Sequence, residues 1–341
     1  MDYFALTRAL IDLDSTTGHE HPVVDYLFGH LSGLASRHTG RLERMNAAPQ
    51  RDNLLLTFGE PVVTLSTHMD TVPPYFSSAE DAAQIRGRGA CDAKGIIAAM
   101  IASAESLLQE GLRNFALLFV VGEERDSAGA KAAAASPRGS RFLINGEPTQ
   151  NQLALGSKGA LRYEIIAKGK LAHSAYPELG HSAIHSLLDA LHDIRAIRLP
   201  HDSLLGQSTL NVGTIHGGRA PNVVADDAKA EIMFRLVGDA APLRSAVEKA
   251  IAPHKVEAQE VLCCSAVRLG SLDGLPTTVV AFTTDIPTFD GVWGQPFLIG
   301  PGSIHVAHTS EEHIDKRELT DAIAIYARMV RQLLATGAPP S

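Results

Sequence analysis

The chain has 341 residues, of which 45% are hydrophobic and 20% are charged, as in ordinary globular proteins. A chain of this length exceeds what a single hydrophobic core usually serves, so we expect two domains. The formal net charge of -8, with no run of lysine or arginine to offset it, argues against a nucleic-acid partner.

The first 15 residues predict an amphipathic helix and not a secretory signal, because charged residues interrupt the apolar positions. No apolar stretch approaches the ~20 residues that a membrane-spanning helix needs. The 3 cysteines, two of them adjacent, do not make a disulfide framework, which favours a reducing compartment. We therefore expect a cytoplasmic protein without membrane contact.

Strands and helices alternate in the first part of the chain and again near its end. Apolar runs and helical periodicity predict strands at 54–58, 62–65, 115–121 and 296–299, and helices at 95–108 and 317–334. This alternation is typical of an α/β protein whose sheet has helices on both faces. We expect residues 336–341 to be irregular.

The middle of the chain has a different order of elements. Strands are predicted at 161–167, 209–215, 227–237 and 256–262, and helices at 182–197 and 242–251. The order β-α-β-β-α-β is that of a ferredoxin-like domain. We therefore predict an α+β domain at 159–268, inserted into a larger domain formed by 1–158 and 269–341.

Histidine and carboxylate side chains follow the apolar strands. His68 and Asp70 come after the strand at 62–65, and residues two apart on an extended chain face the same way. His68 could bind a metal ion while Asp70 holds the other ring nitrogen. A His-x-Asp motif by itself is also common at a solvated strand end.

Three more acidic residues stand at the ends of predicted elements. Asp92 lies just before a predicted helix, where it is either a helix N-cap or a carboxylate shared between two metal ions. Glu123 and Glu124 follow an apolar strand, at the edge where α/β sheets place ligands. Adjacent side chains diverge on an ideal strand, so both reach one site only if the chain bends, which Gly122 could allow. A solvated turn is the alternative.

Two later segments continue this pattern. Glu147 follows an apolar stretch, and His308 follows the predicted strand at 296–299, with His305 as a neighbour. Each of these residues alone would more often be structural than a ligand. Five such signals in succession favour a metal site.

Together these segments resemble the zinc-dependent family of acylases and exopeptidases that contains acetylornithine deacetylase, succinyl-diaminopimelate desuccinylase and glutamate carboxypeptidase. The matching segments span almost the whole chain in the family's order: THMDTVP, GRGACDAKGIIAAM, VGEER, NGEPT, AHSAYP and GPGSIHVAHTSEEHI. The resemblance implies a zinc-exopeptidase-like α/β domain with a mixed sheet. It also implies that the inserted ferredoxin-like domain is a lid or dimerisation domain, and hence a homodimer.

The resemblance implies two zinc ions as cofactors, for which Co²⁺ or Mn²⁺ could substitute. One ion would be bound by His68, Asp92 and Glu147, and the other by Asp92, Glu124 and His308. Asp70 would orient His68. Glu123 would be the general base for a water molecule between the ions. The peptide bond after Asp92 is expected to be cis.

Within the inserted domain, the resemblance assigns three further residues. His173 would donate a hydrogen bond to the oxyanion of the tetrahedral intermediate. Asn222 lies in a segment, GGRAPNVV, that resembles the substrate-binding loop. Arg235 would grip a substrate carboxylate, for which a guanidinium is well shaped. Without the resemblance, Arg235 would be interpreted as a surface charge on a strand.

The predicted function is removal of an acyl group from an N-acyl amino acid. The segment FTTDIPTF followed by IGPGSI is most similar to the acetylornithine and acetyl-lysine deacetylases, which points to an N-acetylated basic amino acid. A dipeptidase or carboxypeptidase acting on small peptides, or a desuccinylase, is the alternative within the family. A non-catalytic metal-binding protein of the same fold is the alternative of another class. Arg125-Asp126 departs from the glycines that usually follow the paired glutamates, which leaves the shape of the neighbouring pocket open.

Overall fold

The computed structural model describes residues 2–336 and divides into two compact units. The first unit is built from the chain up to residue 155, from 269–278 and from 284 onward, and the second from 156–268 and 279–283. We predicted an insertion at 159–268, and the short segment 279–283 joins the second unit as well. The irregular tail predicted at 336–341 is wrong at Thr336, which is the last residue of a helix, and residues 337–341 lie outside the described residues.

Seven α-helices are formed by residues 2–336: α1 (Tyr3–Ile11), α2 (His21–His38), α3 (Gly95–Gln109), α4 (Ala128–Ala134), α5 (Ala183–Arg195), α6 (Ala241–Ile251) and α7 (Lys316–Thr336). Two of them begin at a residue whose side chain caps the helix. The Asp2 side chain accepts a hydrogen bond from the backbone N–H of Ala5, and the Ser182 side chain accepts one from His185. No helix in the described part of the chain is both long and apolar enough to cross a bilayer.

The strands of the same residues are β1 (Arg41–Ala48), β2 (Arg51–Phe58), β3 (Val63–His68), β4 (Ala79–Glu80), β5 (Gln84–Arg86), β6 (Phe115–Val120), β7 (Phe142–Asn145), β8 (Leu153–Ser157), β9 (Gly159–Lys168), β10 (Ala172–His173), β11 (His201–Asp202), β12 (Gly206–Gln207), β13 (Thr209–Gly217), β14 (Val223–Val224), β15 (Asp227–Leu236), β16 (Val256–Cys264), β17 (Val267–Arg268), β18 (Thr277–Val280), β19 (Gln295–Leu298) and β20 (His313–Asp315).

The main sheet of the first unit is mixed, as predicted. Its strands run in the order β1-β2-β6-β3-β7-β19-β8. The neighbouring strands β6, β3, β7 and β19 are parallel to one another, whereas β1, β2 and β8 pair antiparallel. The carboxyl ends of the four parallel strands therefore lie along one edge of the sheet, where open α/β sheets bind ligands.

Both faces of this sheet are covered, which explains why its central strands are apolar throughout. Along β6, Phe115, Leu117 and Phe119 lie in one core cluster with residues of α1, α2, α3 and α7. The alternate residues of β6 lie in a second cluster with residues of α4 and with Phe289 and Trp293. The strand period of two thus divides one apolar run between two cores.

The second unit has the predicted order β9-α5-β13-β15-α6-β16, with short extra strands. Its sheet is antiparallel, in the order β13-β15-β9-β16, which is the ferredoxin-like arrangement. Helices α5 and α6 contribute apolar residues to a core shared with β9 and β15. Each of these six elements begins and ends within two residues of the predicted position.

We expect Trp293→Ala to destabilise the first unit strongly. The Trp293 side chain is fully buried, and its indole N–H donates to the carbonyl of Ala133 at 2.9 Å. Truncation of a buried tryptophan typically lowers the free energy of unfolding by about 3–5 kcal/mol. Val292→Ala on the same turn is the control, since Val292 is 41% exposed and its loss should cost less than about 0.5 kcal/mol. Equal effects of the two variants in denaturant unfolding would contradict this packing.

Candidate metal centre

Three of the predicted site segments follow adjacent parallel strands of the main sheet. His68 is the last residue of β3 and lies beside Val120, the last residue of β6, in the strand register. Glu123 and Glu124 come shortly after β6. Glu147 follows β7, which lies on the other side of β3. The parallel topology therefore places these side chains at the same edge of the sheet.

The carboxylate of Asp92 lies between two imidazoles. One oxygen, Oδ1, is 2.9 Å from His68 Nε2, and the other, Oδ2, is 3.3 Å from His308 Nε2. His308 Nε2 is also 3.0 Å from Oε1 of Glu124. One ligand atom each of His68, Asp92 and Glu124 can be chosen so that all lie within 4.8 Å of one another. The peptide bond between Asp92 and Ala93 is cis, as the resemblance implied.

Gly122 provides the bend that the paired glutamates need. Its φ is +83°, in the left-handed region that favours glycine. A Cβ at this position would lie 2.4 Å from Nη2 of Arg51 and 2.4 Å from Oδ1 of Asp126. Any other residue in this turn would be strained by the positive φ and would displace the ends of the Arg51 and Asp126 side chains.

Asp70 holds this turn. Its carboxylate accepts hydrogen bonds from the backbone N–H groups of Gly122, Glu123 and Glu124 at 2.8, 3.1 and 3.2 Å. It also accepts from the hydroxyl of Thr17 at 2.7 Å. The ring of His68 is held differently from the predicted contact: Nδ1 is 2.9 Å from the backbone carbonyl of Asp70 and 3.6 Å from its carboxylate. The Asp70 side chain thus acts mainly on the paired glutamates.

The unusual residues after the paired glutamates have a structural role. Asp126 pairs with Arg51 at 2.9 Å, and Arg51 pairs in turn with the fully buried Glu20 at 2.7 Å. The Asp126 carboxylate also accepts from the N–H of Ala128 at the start of α4. Arg125 is exposed. Asp126, which replaces a glycine of the family pattern, therefore fastens the turn to Arg51 and Glu20 by ion pairs.

Glu147 and Glu123 are crowded by other acidic groups. Glu147 is 4% exposed, and the amide of Asn145 donates to it at 3.4 Å. Burial raises its pKa well above the ordinary value, and the charge of Asp92 adds to the effect. Burial likewise raises the pKa of Glu123, with a further contribution from Glu147. The Glu123 carboxylate makes no side-chain hydrogen bond or ion pair with residues 2–336, which leaves it free to accept a proton.

The two histidines of the site are surrounded by carboxylates that favour their positively charged forms. Hydrogen bonds to Asp92 and Glu124 raise the pKa of His308 to about 10. Burial alone would lower the pKa of His68, but the nearby carboxylates of Asp70 and Asp92 raise it. The pKa of Asp92 is held below its usual range by the two histidines, against the effect of burial. A divalent cation bound between these groups would compete with the protons of the two histidines, so its binding should be weaker at low pH.

Asp285 lies in the site although the sequence analysis gave it no role there, and His305 stays outside it. Asp285 stood only in a subfamily motif, yet its buried carboxylate lies near enough to Glu123 and Glu147 to raise their pKa. Neither of its oxygens has a hydrogen-bond partner of normal length among residues 2–336, although the Ser127 side chain favours the charged form. The sequence signal was a single acidic residue within the otherwise uncharged segment 282–289. His305, set aside as a neighbour, is exposed.

Three predicted residues lie in the second unit, where two of them are brought together. His173 pairs with Val223 between β10 and β14, and the N–H of Ser174 donates to the carbonyl of Asn222 at 3.0 Å. The N–H of Ala175 lies 3.1 Å from Nδ1 of His173. Nδ1 is then the acceptor, so the imidazole carries its proton on Nε2 and can donate from there.

Arg235, the third of these residues, lies on β15 opposite Thr209 and Ala160. Its guanidinium is partly buried and makes no ion pair with a carboxylate anywhere in residues 2–336. Burial lowers its pKa. A partly buried arginine without an acidic partner is unusual for a residue that only solubilises a strand, because burial of an unpaired charge is unfavourable.

Comparison with known proteins places this arrangement in a family. The sequence profile of the Peptidase family M20/M25/M40 matches residues 64–332. The chain belongs to the M20 peptidase family. It is 36% identical over 335 residues to a peptidase M20 domain-containing protein of Schizosaccharomyces pombe, which covers 96% of this chain and 83% of that protein. It is 33% identical to a probable carboxypeptidase of Aspergillus terreus, covering 96% of this chain and 86% of that one.

The fold of this M20 peptidase is shared with solved structures. The M20 family metallo-carboxypeptidase Sso-CP2 of Sulfolobus solfataricus superposes with a TM-score of 0.79 at 16% identity, covering 98% of this chain and 99% of that one. The predicted fold class is thereby confirmed. The protein is a metallopeptidase-type hydrolase of amide bonds. The relatives described above do not carry the name of the acetylornithine deacetylase branch, so the comparisons support the family and leave the predicted branch unsupported.

We expect Asp285→Asn to change how the stability of the metal-free peptidase depends on pH. Burial raises the pKa of Asp285 to about 7, whereas an unfolded chain has a value of about 3.9. Between these values the unfolded chain has lost the proton and the folded chain keeps it, so stability falls as pH rises and levels off above about 7. The free energy of unfolding of the asparagine variant should not fall in this way. The difference between the variant and the wild type should therefore grow in favour of the variant by about 1.4 kcal/mol for each pH unit in that interval.

The measurement is urea unfolding of both proteins after removal of metal with a chelator, from about pH 4 to pH 8. Asp290→Asn, on the same turn but exposed, is the control and should follow the wild type at every pH. Parallel stability curves for Asp285→Asn and the wild type would contradict the assignment.

Proposed function

We propose that this M20 peptidase uses two divalent metal ions to hydrolyse the amide bond next to a free carboxylate, in a dipeptide or an N-acyl amino acid. The observation that carries the proposal is the carboxylate of Asp92, whose two oxygens face His68 and His308 separately. A carboxylate in this position can bind one ion with each oxygen. The mixed nitrogen and oxygen donors suit zinc, with cobalt or manganese as substitutes.

The proposed ligands divide into two sets that share one residue. The first set is His68, Asp92 and Glu147, and the second is Asp92, Glu124 and His308. Three protein ligands for each ion leave positions open, as a catalytic metal requires. Bound there, the ions would polarise the scissile carbonyl and lower the pKa of the attacking water.

Glu123 is the proposed general base. Its carboxylate is free of hydrogen bonds within residues 2–336, and burial and Glu147 raise its pKa, which makes it a stronger base than an exposed glutamate. It takes a proton from the water whose oxygen bonds to the carbonyl carbon. As the C–N bond breaks, it returns that proton to the departing amine. Asp70 keeps the base in place through the three backbone N–H groups described above.

The second unit supplies the proposed substrate contacts. For His173 we propose donation from Nε2 to the oxyanion, consistent with the N–H of Ala175 engaging Nδ1. For Asn222 we propose contact with the substrate. For Arg235 we propose binding of the substrate carboxylate, supported by its guanidinium having no acidic partner in residues 2–336.

Two substrate classes follow from different observations. A carboxypeptidase activity is favoured by the name of the probable carboxypeptidase of Aspergillus terreus, which shares 33% identity with this chain. Deacylation of an N-acetylated basic amino acid is the second candidate, on the likeness of the segment at 282–289 to acetylornithine deacetylases. A desuccinylase would need additional cations for its extra carboxylate.

We also propose that the second unit mediates homodimer formation. Seven of the ten large hydrophobic side chains exposed in the described part of the chain belong to it, including Leu179 (61%) and Tyr176 (60%). A concentration of exposed apolar side chains in one unit supports an interaction surface there, provided that they form a contiguous patch. A single-subunit mass in light scattering at micromolar concentration would contradict this.

Glu123→Gln should abolish most turnover while leaving the metal centre intact. The amide cannot accept the proton of water, so kcat should fall by about 10²–10⁴-fold with little change in KM. Metal content, measured by mass spectrometry, should stay at two ions per chain. Glu311→Gln, at an exposed position, is the control and should keep wild-type turnover.

Near-normal turnover of Glu123→Gln at full metal content would remove Glu123 from the mechanism. A wild-type protein that binds two ions but hydrolyses no amide substrate would instead support the non-catalytic alternative.

A substrate screen tests the proposed role of Arg235 and the choice between substrate classes. Dipeptides, N-acetyl amino acids and N-succinyl amino acids are each offered with a free carboxylate and as the carboxamide. We expect hydrolysis of the free acids only. Arg235→Met should lower kcat/KM for the preferred acid by about 10- to 100-fold, the value of one or two hydrogen bonds to a charged group.

Arg162→Met is the matched control, because Arg162 lies on the neighbouring strand β9 and pairs with Glu231. It should leave kcat/KM unchanged. Equal rates for acids and carboxamides, or equal losses in the two variants, would contradict carboxylate binding by Arg235. The acyl group of the preferred substrate decides between the two classes.

A further inference from the structure

A buried ion pair lies directly behind the loop that carries Asp92. Nη1 of Arg88 is 2.5 Å from Oε2 of Glu312, and the two residues are 1% and 0% exposed. Arg88 is itself held by the carbonyl of Pro74 at 3.2 Å and lies over the ring of Phe76. The sequence comparison included both charged residues in matching segments without giving either a role.

Glu312 also binds the backbone of the Asp92 loop. Its second oxygen, Oε1, accepts hydrogen bonds from the N–H of Gly89 at 3.0 Å and of Asp92 at 3.3 Å. Its backbone carbonyl accepts from the N–H of Gly87 at 3.1 Å. Glu312 thus accepts hydrogen bonds from three backbone N–H groups of the six-residue loop 87–92. The N–H of Asp92 is among them, so the contact acts on the ligand residue itself.

Glu312 connects this loop to the segment that carries His308, a proposed ligand of one of the two ions. It stands four residues after His308, and the strand that follows it, β20, pairs antiparallel with β5 just before the loop. His308 and Asp92 therefore belong to two chain segments that are fastened together at Glu312. Their side chains meet at 3.3 Å.

We propose that Glu312 is a positioning residue of the metal centre, fixing the Asp92 loop relative to His308 so that the Asp92 carboxylate can reach both ions. The inference rests on the proposed two-ion function. Groups that hold a metal ligand in place typically change metal affinity by about 10- to 100-fold when they are removed. Because Asp92 serves both ions, loss of Glu312 should weaken both, whereas loss of Glu147 should weaken one.

The alternative is that the ion pair only stabilises the fold. Removal of Glu312 alone would not separate a positioning role from a stabilising one, because it leaves the buried guanidinium of Arg88 without its carboxylate and so destabilises the fold. Two double variants avoid this. Arg88→Met with Glu312→Leu removes both charges and the acceptor oxygen. Arg88→Met with Glu312→Gln removes both charges but keeps an oxygen that can accept from Gly89 and Asp92.

The experiment is titration of the full-length, metal-depleted proteins with Co²⁺, followed by calorimetry and by visible absorption of the bound ions. We expect the leucine double variant to bind both ions about 10- to 100-fold more weakly than the wild type. The glutamine double variant should bind both within a few-fold of wild type. Glu147→Gln should weaken only one of the two binding steps.

Wild-type affinity for both ions in the leucine double variant would overturn the proposal. So would equal losses in the two double variants, or a fall in unfolding temperature with unchanged affinity, since either result would give Glu312 only a structural role. If the double variants do not fold, Glu312→Asp keeps the charge and withdraws the carboxylate by one methylene group. It should weaken both binding steps, and unchanged affinity would again overturn the proposal. A wild-type protein that binds fewer than two ions would refute the proposed function instead.

Discussion

The division of one buried carboxylate between two imidazoles is the interaction on which the centre depends. Asp92 is 5% exposed, and its oxygens lie 2.9 Å from His68 and 3.3 Å from His308. These three residues come from a strand end, a glycine-containing loop and a segment near the end of the chain. No single local structure could bring them together, so the site exists only when the whole first unit is folded.

The mixed sheet brings these distant segments together, but it also crowds acidic side chains, which destabilises the fold. Parallel strands bring His68 and the segments of Glu124 and Glu147 to one edge, and burial there raises the pKa of both glutamates. Acidic groups held so close destabilise the metal-free fold, because their charges repel and have lost their hydration. The apolar cores on both faces of the sheet offset this cost. Divalent cations would convert the same repulsion into binding energy.

Much of the fold followed from the sequence, because its apolar runs and periodicities are local signals. The strand that begins near residue 62 and the ferredoxin-like order of the second unit belong to this class, as does the bend for which Gly122 was the candidate; the strand itself runs on to His68, three residues past its predicted end. Contacts between distant segments did not follow. Asp126 meets Arg51 across 75 positions of the chain, and Arg88 meets Glu312 across 224. The backbone carbonyl of Asp70 holding His68 was also hidden, because a sequence pattern displays side chains and not carbonyl directions.

The connection between α1 and α2 has a consequence for any shortened form of the protein. Thr17 in this connection donates to Asp70 at 2.7 Å, and the fully buried Glu20 pairs with Arg51. A chain trimmed past residue 20 would keep every proposed ligand and the proposed base, because all of them lie later in the sequence. It would nevertheless have lost two of the groups that clamp the glutamate turn. The first 20 residues of the polypeptide, remote in sequence from most of the proposed site, thus help to hold the turn that carries the proposed base.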